Sequence, residues 1–259
     1  MDKFIDKIKV IVNRKSFHFC VIILIILVLV GITGFIIMKY KDEGETNMPF
    51  NISKINIISS SSGENSANPN PDARWNIDVS QNNDIYVYIE KNEGYEGTEV
   101  IDTVTFDNFN FETTPKIGEL KIYKPDSNSD KALFKNIDED IVDELTYTGS
   151  TSSNLKDLEI SNQGDMIYFR ICNKNIAKYV SNDDEINYND LLKKTNVQET
   201  DLETDMNFDV TINLKSHKSF STKVSLQIPA DGVVEKGTTS NEIKDTQNYV
   251  FKRIKNDNI

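Results

Sequence analysis

The chain has 259 residues, with 29 Lys and Arg against 41 Asp and Glu, two histidines, two cysteines and a formal net charge of −12. A hydrophobic share of 38% suffices for a core and argues against a wholly disordered chain, while the length excludes a large multidomain assembly. The acidic balance argues against a nucleic-acid partner, because neutralising phosphates takes clustered Lys and Arg.

That charge is unevenly spread. Residues 1–41 hold seven basic and two acidic side chains, which leaves 22 basic and 39 acidic groups, a balance of −17, on the remaining 218 residues. Within residues 1–18, Phe4, Ile5, Ile8, Ile11 and Val12 fall at helical spacing. This predicts a short amphipathic cytoplasmic segment that lies on the inner membrane surface or simply extends the next element. Residues 19–38, FCVIILIILVLVGITGFIIM, contain no charge, and fifteen of the twenty are Phe, Val, Ile or Leu. At ~1.5 Å per residue they form a rod of ~30 Å, the thickness of a bilayer's hydrocarbon layer. A cleaved signal peptide has a shorter apolar region and small residues at its exit. Here the exit is Phe35-Ile36-Ile37-Met38-Lys39. The reading is therefore an uncleaved signal-anchor, a single-pass transmembrane helix. Five basic residues precede it, so the positive-inside tendency places the N-terminus in the cytoplasm and the acidic bulk outside the cell.

Residues 39–48 read as a short linker and residues 49–259 as one extracellular domain, with two smaller β-domains as the alternative division. Alternating runs recur along it: Phe50 to Ile57, Trp75-Asn76-Ile77-Asp78-Val79, and Ile85, Val87 and Ile89 set against Tyr86 and Tyr88. Further runs are Val104/Phe106, Leu120/Ile122, Leu145/Tyr147, Ile167/Phe169/Ile171, Phe208/Val210/Ile212/Leu214 and Val224/Leu226/Ile228. Period two means one buried and one wet face, which antiparallel sheets permit. The fold class that follows is mainly β, an elaborated antiparallel β-sandwich behind one N-terminal helix. Ser59 to Pro71 reads as a long polar loop, Trp75 as an anchor between the sheets, Tyr188 to Lys194 as a short helix, and Ile137 to Leu145 as a helix or strand.

Residues 158–175, LEISNQGDMIYFRICNKN, carry a Gly164-Asp165 turn followed by the alternating strand Ile167 to Asn173. This unit resembles the strand–corner–strand of bacterial immunoglobulin-like surface domains. With its Asn/Ile/Lys-rich, Cys-poor composition, the whole layout resembles single-pass envelope proteins of low-GC Gram-positive bacteria. The resemblance implies an immunoglobulin-like sandwich in the cell envelope; it implies no activity.

Chemistry-bearing residues are sparse. Cys20 lies in the apolar rod and Cys172 in a strand, so no bond between them is expected within one chain. The alternation makes Cys172 a packed side chain rather than a nucleophile. His217, beside Ser216, Ser219 and Ser221, falls in a polar turn, and one His with one Cys builds no zinc site. Asp126, Asn128 and Asp130 alternate like calcium ligands, but Lys131 and Ile137 replace the Gly and Glu that the loop needs. Asp183, Asp184 and Glu185 form a second oxygen-rich cation candidate. Tyr86, Tyr88 and Tyr168 fall opposite the aliphatic face and would form a protein-contact patch if their strands are neighbours.

The expectation is a non-catalytic interaction or structural module with no cofactor and no catalytic residue, integral to the membrane by one span and partnered by an unidentified envelope protein. Two rivals stand beside it: a carbohydrate- or peptidoglycan-active enzyme using a carboxylate pair, and a sensor or assembly component of an envelope complex.

Overall fold

The computed structural model describes residues 15–126, 134–135 and 144–255. Contacts divide the chain into two units, Met1–Thr46 and Asn47–Ile259. In the first, helix α1 spans Lys15–Glu43, outrunning the expected 19–38 at both ends. Within its stretch His18–Lys41 an 18-residue window reaches a mean hydropathy of 3.3. Such a helix is long and apolar enough to cross a membrane. Thr33 Oγ1 donates to the Leu29 carbonyl at 2.8 Å, so the polar side chain is satisfied within the helix. The helix stops at Gly44, whose φ of 74° is left-handed and whose N–H closes on Tyr40 O at 2.9 Å. The amphipathic segment expected at residues 1–18 lies almost wholly outside the described residues.

The second unit is built of twelve strands among the described residues: β1 (Phe50–Asn65), β2 (Trp75–Lys91), β3 (Ile101–Phe111), β4 (Glu119–Pro125), β5 (Phe134–Lys135), β6 (Glu144–Ser150), β7 (Glu159–Ser161), β8 (Gly164–Ser181), β9 (Thr204–Leu214), β10 (Ser219–Ile228), β11 (Thr238–Ile243) and β12 (Lys252–Ile254). They form two six-stranded sheets, ordered β11-β1-β2-β8-β4-β5 and β12-β10-β9-β3-β6-β7. Pairing is antiparallel except between β6 and β7. Inward residues such as Ile55, Ile57, Ile85, Val87, Val104, Phe106, Phe169, Phe208, Val210 and Val224 are fully buried, as the alternation predicted. Phe169 from the first sheet meets Phe106 and Phe208 from the second at centroid separations of 5.3 and 5.5 Å. These edge-on and tilted ring contacts stitch the sheets together.

The turn before β8 is the corner at which the chain passes from one sheet to the other. Gly164 has φ 95°, and a Cβ there would stand 2.5 Å from Ile89 O, so the corner admits only glycine. Asp165 Oδ1 accepts the Met166 N–H at 2.7 Å and so caps the turn.

Strands β1, β2 and β8 run to 16, 17 and 18 residues and overhang the second sheet. Their far ends carry a second, smaller core. It is closed by the crossover from β8 to β9, which holds a 3₁₀ turn (Tyr188–Asp190), α2 (Leu191–Lys194) and α3 (Glu199–Leu202), and by the crossover from β10 to β11, which holds α4 (Val233–Lys236). Ile77, Val79, Ile176 and Tyr179 pack there against Leu191, Leu192, Val197, Leu202, Val233 and Val234.

Two expectations are corrected here. Ser59 to Asn65 is strand, not loop, because each residue pairs with β2 and the small hydroxyls of Ser59 and Ser61 turn inward among polar neighbours. Trp75 does not stand between the sheets. It lies half-buried against the smaller core, with its Nε1 donating to Asp183 O at 2.9 Å. The short helix at Tyr188–Lys194 forms as expected, while of Ile137 to Leu145 the described residues include only the end, which opens β6.

Candidate functional site

The three patch tyrosines come together on the outer face of the first sheet. Tyr86 on β2 and Tyr168 on β8 are directly opposite, and their rings stack at 5.6 Å with an interplanar angle of 26°. Tyr88 stands one period-two step further along β2, opposite Lys54 of β1, whose Nζ lies 4.3 Å from the ring centroid. A cation over a tyrosine face at this distance is an attractive contact. On the other side of the stacked pair is the cross-strand pair Asp84–Arg170. Arg170 donates from both Nε and Nη2, the latter at 2.9 Å from Asp84 Oδ2. With side chains 24% and 15% exposed, this bidentate pair fixes the edge of the tyrosine cluster more firmly than a solvent-bathed ion pair would. Beyond it Tyr123 of β4, opposite Arg170, packs with Cys172 and Tyr168, and Lys174 Nζ lies 5.9 Å from its ring.

Burial raises the Tyr86 hydroxyl above the usual phenol range, reinforced by Asp84 and opposed by Arg170. The Tyr168 hydroxyl is raised by burial and then by Asp157 and Asp84. Both rings therefore present neutral hydroxyls at physiological pH. Beside Tyr168 a groove of about 330 Å³ opens between Met166 and the Leu155–Glu159 segment, floored by Tyr147. The Tyr147 hydroxyl donates to Tyr168 O, which ties the groove floor to the tyrosine strand. Sequence reading missed Asp84, Arg170, Lys54 and Tyr123 as members of this face. Asp84 and Arg170 were legible as one alternation step from Tyr86 and Tyr168, whereas Lys54 and Tyr123 depend on strand pairing.

Elsewhere the chemistry stays confined. Burial pushes the Cys172 thiol up to about 12, so it stays protonated and unreactive. His217, with φ 64°, sits in the β9–β10 turn as expected, its N–H bonded to Leu214 O at 2.9 Å. Ser219 Oγ lies 2.6 Å from Asn213 Oδ1, and Ser221 bonds Thr211 at 3.2 Å.

In the oxygen-rich loop, Asp183 accepts from Tyr179 at 2.9 Å and from Ser181, which hold its carboxyl below the ordinary range. Asp184 meets Arg74 at 2.9 Å, and Glu185 is exposed. Of the other calcium candidates, Asp126 follows β4, while Asn128 and Asp130 lie outside the described residues. Among the described residues no three His, Cys, Asp or Glu side chains are grouped to hold a metal ion. Glu144, Asp107 and Asp209 do share one cross-strand row on the outer face of the second sheet. Burial, then Asp209 and Glu144, raise the Asp107 carboxyl, the mark of crowded like charges.

Comparison of the chain with protein-family models, with curated proteins and with solved structures found no match.

Proposed function

We propose that this protein is a single-pass membrane protein that holds a non-catalytic β-sandwich outside the cell as an interaction module of the cell envelope, of the kind its resemblance to Gram-positive envelope proteins implies. The observation that carries the reading is the outer face of the first sheet. There Tyr86, Tyr88 and Tyr168 gather beside Lys54 and the Asp84–Arg170 pair. Rigid aromatic rings with neutral hydroxyls, braced by charged neighbours, are the composition of protein-binding hot spots. The apolar helix supports a tether, which would raise the local concentration of this face for partners in the same membrane plane.

The glycan-active enzyme is less well supported. Glu144, Asp107 and Asp209 occupy neighbouring positions on one sheet face, whereas acid–base hydrolysis needs two carboxyls flanking a bound sugar. Photo-crosslinkers placed at Asn56, in the tyrosine row, and at Thr148, on the other sheet, would be compared in intact cells. The reading expects one discrete crosslinked protein from Asn56 and none from Thr148. Equal yields from both, protection of the body from externally added protease, or release of wall glycans by the purified full chain would overturn it.

A further inference from the structure

The two cores on the first sheet are separated by a polar level that crosses its three long strands. Ser61 on β1, Gln81 on β2 and Asn173 on β8 share one cross-strand row, and Ser59 and Asn83 share the next. All five side chains are buried. Ser59 Oγ and Gln81 Nε2 both donate to Asn83 Oδ1 at 2.7 Å, and Asn83 Nδ2 returns a bond to Gln81 Oε1 at 3.1 Å. Ser61 Oγ and Asn173 Oδ1, by contrast, are buried without a partner. At the same level the β2–β8 ladder shifts register between Val79 and Gln81, and Asn175 takes up the extra length at φ 56°. Apolar contact and strand register are thus interrupted in one place.

Beyond this level the smaller core is roofed by helices of only four residues each, too short to persist alone. The two roofing crossovers meet along a groove of about 250 Å³ beside Val197 and Val234. It is spanned by the exposed Lys193–Glu235 pair and by Glu199 Oε1 accepting the Val234 N–H at 3.0 Å. At its base the second crossover is pinned to the polar level, where Ala230 N–H donates to Ser59 Oγ at 2.8 Å. A polar level cannot carry hydrophobic cooperativity, so lifting the roof forfeits the burial of the smaller core and leaves the phenylalanine core intact.

We propose that the crossovers 182–203 and 229–237 form one separately opening unit, which lifts from the overhanging strands at the Ser61–Gln81–Asn173 level while the sandwich stays folded and uncovers the strip Ile77, Val79 and Ile176. This conformational device is independent of the tyrosine-face reading. Hydrogen exchange on the full chain in detergent micelles tests it through the amides of Val197, Lys236 and Gly237, which bond to Leu192, Gly232 and Val233 carbonyls. These amides are expected to exchange at least about tenfold faster than those of β3 and β9. Leu192→Ala, in the first crossover, is expected to accelerate exchange of Lys236 and Gly237, in the second, by a similar factor without changing β3 or β9. Uniform acceleration that includes β3 and β9, or acceleration of the first crossover alone, would overturn the proposal. Should that variant not fold, exchange of the unsubstituted chain across a urea series decides. A roof that opens before β3 and β9 supports the proposal, and a single merged transition refutes it.

Discussion

The phenylalanine core and the roofed core lie on the same sheet, the second on β2 and β8 beyond the register shift, yet they differ in what closes them. Between the sheets, Phe106, Phe169 and Phe208 meet rings from both sides, and inward positions of one sheet face inward positions of the other. Over the overhang, Ile77 and Val79 face Leu191, Leu192, Val233 and Val234, which arrive on connections and not on strands. The lesson is that a buried strand face specifies only that something apolar must cover it. A second sheet does so with long-range ladders on both sides, whereas crossovers do so with side chains hung on short helices, and cooperativity differs accordingly.

The largest effect is expected in the shared core. Phe208→Ala removes a fully buried ring in contact with Phe106, Phe109 and Phe169. It should cost about 3–5 kcal/mol, read as a lower urea midpoint of the β-sheet circular dichroism signal. Gly63→Ala attacks the roofed core: its Cβ would meet Ile77 Cγ2 at 2.4 Å and Leu191 Cδ1 at 3.0 Å. Overpacking of about 1–3 kcal/mol is expected there. Exchange protection should fall at Val197, with the urea midpoint of the sheets moved far less than by Phe208→Ala; equal midpoint shifts would merge the two cores into one.

Asn83→Ala strips the polar level of the acceptor that serves Ser59 and Gln81. A loss of about 1 kcal/mol is expected in the same denaturation series, from polar groups left buried without partners. The smallest effect lies away from both cores. The folded-state carboxyl of Asp107 is raised above its ordinary value, so the native chain holds this proton more tightly than the unfolded chain does. Stability from this group is therefore lost as pH rises through the window between the ordinary and the raised value. Asp107→Asn should raise the melting temperature at pH 7 by about a degree, and calorimetry should show the gain vanishing at acid pH where wild-type Asp107 is protonated.

The tyrosine face is partly legible in the sequence. Tyr86, Tyr88 and Tyr168 betray themselves as aromatic residues out of phase with an aliphatic alternation, which puts each on a wet face. That β2 and β8 are neighbours, in the register that stacks Tyr86 on Tyr168, is a long-range pairing no local pattern encodes. Conversely Ser59 to Asn65 misled, because a Ser-rich run has poor intrinsic strand preference. Pairing along the whole of β2, and a polar level needing small hydroxyls inside, overrode that preference.

By itself the sequence determined the apolar helix, the strand-built acidic body, the Gly164 corner and the fully buried aliphatic face. These follow from local composition and period-two alternation, which need no knowledge of what lies opposite. Only the tertiary structure decided that strands overhang one sheet, that connections roof the overhang, and that a polar level divides two cores. Those features depend on which distant segments meet, and a face that must be covered does not say by what.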